Sequence, residues 1–134
     1  METTQERLKP KELSYYHYLF EYLDGLGNYE KMIELMKQGL KSSPKNPDLR
    51  EYLVVAYLKT GKESLAIAEM ENILKSKPKD LPLLLRLAKL KEKQEDFEGA
   101  LEVYKKILEI SPDHEEAGEA YLGLTIRASE QNGG

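Results

Sequence analysis

The sequence predicts an all-α fold of stacked helical hairpins, an α-solenoid, and three observations carry that prediction. Pro44, Pro78 and Pro112 stand 34 residues apart, with one pattern repeated around each; a fixed period of this kind marks copies of a single supersecondary unit. Within each copy, apolar residues recur at helical spacing in two segments around a short polar break. No segment alternates apolar and polar residues with period two, so no strand is expected.

Aligned on the period, the rows are 13–46, 47–80 and 81–114, followed by a half row at 115–128. Residues 5–12 extend the first helix as far as Pro10 allows. In the first segment of each row, Leu19, Leu53 and Leu87 share a position. The breaks that follow are Gly27-Asn28, Gly61-Lys62 and Glu95-Asp96. Glycine just past a helix takes positive φ at little cost, which accounts for the first two; the third row manages without it. The second segments share Ile33, Ile67 and Leu101, then Met36, Met70 and Tyr104, then Leu40, Leu74 and Leu108. Each proline then stops its helix, having no N–H and a fixed φ. Asn46-Pro47-Asp48, Lys79-Asp80 and Pro112-Asp113 supply turn and N-cap chemistry for the next helix. Connections this short make consecutive helices antiparallel. Residues 129–134 read as a flexible tail.

Composition narrows the function. The chain has 134 residues, the size of one domain, with 33% charged and 40% apolar residues, as expected for helices with one solvated face. It has no cysteine, so disulfides, thiolate zinc sites and thiol catalysis are excluded. No apolar run approaches the roughly 20 residues that span a bilayer. Met1 to Pro10 is polar and lacks the apolar core of a secretory signal. A reducing, cytoplasmic setting fits these features, with a periplasmic one as the open alternative. The net charge of −4 divides as 0 for each of 1–12, 13–46 and 47–80, −1 for 81–114 and −3 for 115–134. The acidic excess thus lies at the end of the chain, and no basic stripe suits a nucleic acid.

The pattern resembles the tetratricopeptide repeat family, whose unit is a 34-residue helix–turn–helix. The resemblance rests on the leucine positions above, Tyr57, the turn glycines Gly27 and Gly61, Tyr29 and Phe97 after the turn, and Ala66 and Ala100. It implies a right-handed α-solenoid forming one domain over 1–128. Its capping helix, 115–128, would turn Ala117, Tyr121, Leu122 and Leu124 inward. Some positions depart from the family pattern. Tyr16, Arg50 and Leu84 share a place where the family has a large aromatic, and Lys91 replaces another. Phe20 and Met32 stand where small residues are usual. Gly39 stands where the other rows have Ile73 and Ile107, which suggests that Phe20 and Gly39 exchange volume.

The resemblance further implies that first helices line a concave binding face. The residues expected there are His17, Tyr18 and Glu21 in row one, Tyr52, Val55 and Lys59 in row two, and Leu85, Arg86 and Lys89 in row three. Tyr18, Tyr52, Val55 and Leu85 would supply apolar anchors. Charge changes from Glu21, Asp24 and Glu51 to Lys59, Arg86 and Lys89, which would orient a bound segment with its acidic part toward row three. A chaperone-tail clamp for two carboxylates does not fit. Its positions fall on His17, Glu21, Tyr52, Pro82 and Arg86, and Glu21 would repel the ligand.

Nothing points to catalysis. His17 and His114 lie in different rows with no metal-ligand set beside them. The serines lack a neighbouring base, and the glycines form no phosphate loop. The expected function is a protein-interaction scaffold holding a peptide or protein segment, with no cofactor, no metal, no nucleic acid and no membrane insertion. Two alternatives stand beside it. One is self-association, including a homodimer, through the aromatic cluster Tyr15, Tyr16, Tyr18 and Phe20. The other is a secretion-type chaperone for a specific client.

Overall fold

A computed structural model describes residues 10–133, which form seven helices and no strand. They are α1 (Pro10–Leu26), α2 (Tyr29–Ser42), α3 (Pro47–Lys59), α4 (Glu63–Ser76), α5 (Leu81–Lys93), α6 (Phe97–Ile110) and α7 (Glu115–Gly133). The expected extension of the first helix over residues 5–9 lies outside the described residues. The last helix continues past Ala128 to Gly133, beyond the boundary read from the repeat. No proline or other breaker stands between Ala128 and Gln131 to end it.

The helix starts follow from their capping residues. Asn28, Asn46, Asp80 and Asp96 each accept amide N–H groups of the first turn, satisfying donors that the helix itself leaves open. Pro47 and Pro82 sit in the first turns of α3 and α5, where a missing N–H costs nothing. At the start of α7 the cap is His114 rather than Asp113: its Nδ1 accepts the Ala117 amide at 3.1 Å. This is the position that Asn46 and Asp80 hold in the earlier rows.

The three turns inside the rows, α1–α2, α3–α4 and α5–α6, are one structure. Asn28, Lys62 and Asp96 donate their amides to the carbonyls of Leu23, Tyr57 and Lys91, five residues back. Gly27, Gly61 and Glu95 donate to carbonyls three residues back. This paired pattern requires a left-handed residue at the turn, and φ is 71°, 75° and 63° at the three positions. The third row therefore keeps the conformation and places a glutamate in it, at a steric cost of about 1 kcal/mol.

The chain divides into two compact units, Met1–Ile73 and Leu74–Gly134. In the first, α1 packs on α2 and α2 on α3, around Leu23, Met32, Met36, Leu49, Leu53, Val54 and Tyr57, all buried. A fully buried leucine or methionine here contributes roughly 1.5–3 kcal/mol. Gly39 is buried where α2 meets its neighbours. A Cβ there would stand 2.9 Å from Tyr16 Cζ and 3.1 Å from Leu49 Cδ1. The volume exchanged with Gly39 is therefore that of Tyr16, not of Phe20. Phe20 instead stacks on Tyr52. Arg50, at the same repeat position as Tyr16, reaches Glu69 at 2.7 Å and the Pro44 carbonyl at 2.7 Å. Both charged side chains of that pair are mostly shielded from water, so its geometry ties α3 to α4 and to the preceding loop.

In the second unit, α5 packs on α6 and α6 on α7. Leu83, Leu84, Leu87, Ala88, Ala100, Tyr104, Ile107, Ala117 and Leu124 are buried. Tyr104 is the largest of the fully buried side chains, and its hydroxyl donates to Glu92 at 2.6 Å. Burial first, then this bond and the charges of Glu92 and Glu116, hold the Tyr104 phenol above its ordinary value. Of the four residues expected to face inward on α7, Ala117 and Leu124 do so and Tyr121 is half-buried. Leu122 does not, being 60% exposed. In the earlier rows its position holds Val54 and Ala88, both buried. A second helix follows α3 and α5, whereas none follows α7 among the described residues.

Candidate functional site

In the first unit the structure brings together side chains of two first helices. Phe20 of α1 lies over Tyr52 of α3 with ring centroids 4.5 Å apart and an interplanar angle of 19°, an offset-stacked pair. His17, three residues before Phe20 and so on the same side of α1, places Nδ1 3.3 Å from the Tyr52 hydroxyl. The direction of that hydrogen bond follows the imidazole tautomer. Tyr52 is half-buried. Burial, followed by the charges of Asp48 and Glu21, holds its phenol above the ordinary value, so the hydroxyl stays protonated at neutral pH and can donate. The site is thus an aromatic platform bordered by carboxylates.

The remaining row-one and row-two residues stand around this platform in different ways. Val55 is half-buried and Lys59 exposed near the end of α3. Tyr18 is exposed and touches His17 in a tilted ring contact, with centroids 5.7 Å apart. Its spacing sets it on a face of α1 shared with Tyr15, Tyr22 and Leu26. Phe20 and Asp48 complete the arrangement and were not among the candidates. Phe20 reads as core in the sequence because its counterparts are Val54 and Ala88. Its bulk at a place of small residues was the signal that it reaches a neighbouring helix.

In the second unit, Leu85 is half-buried and Arg86 exposed on α5. Lys89, expected to receive an acidic group, is held by Glu116 of α7 in an ion pair. Both partners are about half exposed, where such a pair adds roughly 0–1 kcal/mol. A ligand carboxylate at Lys89 would therefore have to compete with Glu116. Elsewhere in this unit Phe97, Leu101, Leu124, Arg127 and Ala128 line a cavity of about 100 Å³ between α6 and α7. Arg127 is set 6.0 Å from the Phe97 ring centroid. Among the described residues no three His, Asp or Glu side chains converge as a metal-binding group, and no helix is long and apolar enough to cross a membrane.

The geometry agrees with solved structures that this chain resembles. The first tetratricopeptide repeat domain of RPAP3 (Spaghetti), solved with the HSP90 peptide SRMEEVD, is 17% identical with a TM-score of 0.70, covering 92% of this chain and 98% of that one. The Sgt2 repeat domain from Aspergillus fumigatus is 23% identical with a TM-score of 0.70, covering 96% and 86%. The Yersinia enterocolitica type III secretion chaperone SycD, solved with a peptide of the translocator YopD, is 12% identical with a TM-score of 0.73, covering 90% and 98%. At these identities the likeness is one of fold: all-α, an α-solenoid of helix–turn–helix repeats. The family model described as "Tetratricopeptide repeat" matches residues 25–90 and 64–122. With the 34-residue period, the shared turn and this match in agreement, the chain belongs to the tetratricopeptide repeat family.

Proposed function

We propose that the chain is a binding scaffold, without catalytic activity, that holds a segment of another protein against the Phe20–Tyr52 platform of α1 and α3. The observation that carries this reading is the stacked pair itself. Two aromatic rings and an imidazole meet at the surface of first helices, where half-exposed tyrosine is a frequent centre of binding energy. The bordering charges of Glu21 and Asp48 favour an apolar anchor followed by a lysine or arginine. The peptide-bound forms of RPAP3 and SycD support segment capture as the use of such a scaffold. The two-carboxylate mode fits this chain poorly, since Glu21 stands at one of its positions. SycD, similar in size and fold, also supports the second reading, a chaperone that holds one client.

The test is a positional peptide array read by fluorescence anisotropy. Peptides with an apolar residue next to Lys or Arg should bind best. Tyr52→Ala should weaken them on the order of 10-fold or more, the loss of one aromatic hot spot. Glu21→Lys should shift the preference toward acidic neighbours. Binding that is indifferent to both substitutions would move the ligand off this platform.

A further inference from the structure

Four large apolar side chains left exposed lie on one helix: Tyr15 at 57%, Tyr18 at 70%, Tyr22 at 65% and Leu26 at 61%, all on α1. Their spacing of three, four and four residues sets them on a single face. That face differs from the one that carries His17 and Phe20, and from the one that buries Leu23.

The repeat identifies what this face is for. Tyr15 shares its position with Leu49, Leu83 and Ala117, and Tyr22 shares its own with Ala56, Leu90 and Leu124. All six counterparts are buried. In the first unit Leu49 lies against Gly39 of α2, the second helix of the preceding row. In the second unit Leu124 lines a cavity with Phe97 and Leu101 of α6, again the preceding second helix. The face of α1 thus corresponds to one that takes a packed helix in later rows. Among the described residues no helix covers it.

We propose that a second copy of this chain covers it, the two α1 helices packing antiparallel about a two-fold axis in a closed dimer. The order of the stripe supports an identical partner. Laid antiparallel on itself in the register that sets Tyr18 against Tyr22, it brings Tyr15 opposite Gly25 and one residue, about 1.5 Å along the axis, from Leu26, so apolar meets apolar in both directions of an isologous interface. Ser14 and Gly25 border the tyrosines and Asp24 lies on the far side of α1, while Glu21, three residues after Tyr18, sits exposed at the edge of the stripe. Gly25 has nothing within 4 Å of where a Cβ would stand, which leaves room for a tyrosine ring from the partner. Area also suffices for a modest dimer. The four side chains expose about 500 Å², taking roughly 200 Å² for a whole side chain of this size. Weakly held interfaces bury less than about 600 Å² per partner, so the stripe suits a dimer that dissociates on dilution.

Sedimentation equilibrium of the full chain over a dilution series tests this. The expected result is a species of twice 15.4 kDa that dissociates on dilution. The double variant Tyr15→Glu/Tyr22→Glu should raise the dimer Kd on the order of 100-fold with unchanged helical circular dichroism. Tyr15→Phe/Tyr22→Phe should remain dimeric. Because the chain has no cysteine, Tyr15→Cys mixed with Leu26→Cys should cross-link in preference to either variant with itself. The proposal is overturned by a monomer at every concentration, by a ladder of larger species, by a dimer indifferent to the glutamate pair, or by self-linking that equals mixed linking. A chain that stays monomeric and is protected on α1 only by a foreign helical partner would give the face to that partner. Tyr15, Tyr22 and Leu26 take no part in the proposed ligand platform, so this experiment and the peptide array fail independently.

Discussion

α1 and α3 hold the same place in successive repeats, yet the same positions meet opposite surroundings. Leu49 and Ala56 of α3 are buried, whereas Tyr15 and Tyr22 of α1 are more than half exposed. The side chains do not account for the contrast, since tyrosine is apolar enough to be buried and Tyr57 is. What differs is whether, among the described residues, a helix lies on that face. In a stacked repeat the period fixes which positions can be core, and the neighbour decides which of them are.

That contrast predicts its own largest effect. Leu49→Ala should cost about 3 kcal/mol by urea unfolding, from lost burial and the cavity beside Gly39. Tyr15→Ala, at the same repeat position, should change the stability of dilute protein by no more than about 0.5 kcal/mol. Equal costs would mean that burial follows the position after all.

The next effect concerns volume rather than burial. Gly39→Ile restores the residue of the other two rows, but its side chain would run into Tyr16 and Leu49. It should cost about 2 kcal/mol. Tyr16→Ala combined with Gly39→Ile should cost much less than Tyr16→Ala in the wild type, which a double-mutant cycle measures. Additive costs would show that Tyr16 and Gly39 do not share one space.

The smallest effect contrasts Tyr104 with its counterparts Met36 and Met70 and appears only in alkali. The folded Tyr104 phenol titrates above its ordinary value, so between the two pKa values the unfolded chain has lost a proton that the folded chain keeps. Stability from this group is therefore complete below about pH 10 and falls as pH rises further, by up to about 1.4 kcal/mol per pH unit. Tyr52 and Tyr57, also raised, add to the same slope. Tyr104→Met should remove its share and flatten the alkaline limb of a stability–pH curve. An unchanged limb would place the titration elsewhere.

The helices were legible because glycine, proline and the leucine positions punctuate the sequence at a fixed period, and the turns of the first two rows were legible from Gly27 and Gly61. The left-handed turn at Glu95 was not, since glutamate carries no signal for positive φ. Nor was the true partner of Gly39, because the period names positions without saying which side chain of the neighbouring helix reaches them. The candidate site was legible in part. His17 and Tyr52 meet as members of first helices, with the charge of Glu21 felt at Tyr52. The contribution of Phe20 and the engagement of Lys89 by Glu116 depend on pairs of side chains from different helices. Leu122 was misread as inward because, among the described residues, no second helix follows α7 to cover it.

The turn shared by Gly27, Gly61 and Glu95 has a consequence for how such a chain can change. A gene exchange between rows that breaks at this joint rejoins two ends with the same backbone path and the same pair of hydrogen bonds. What travels with the exchanged piece is the outward face of one first helix, whether the carboxylate-bordered tyrosine of α3 or the leucine and arginine of α5. On the proposed function, the binding faces would then be reshuffled as cassettes while the joint that holds them stays constant, even where glutamate stands in for glycine.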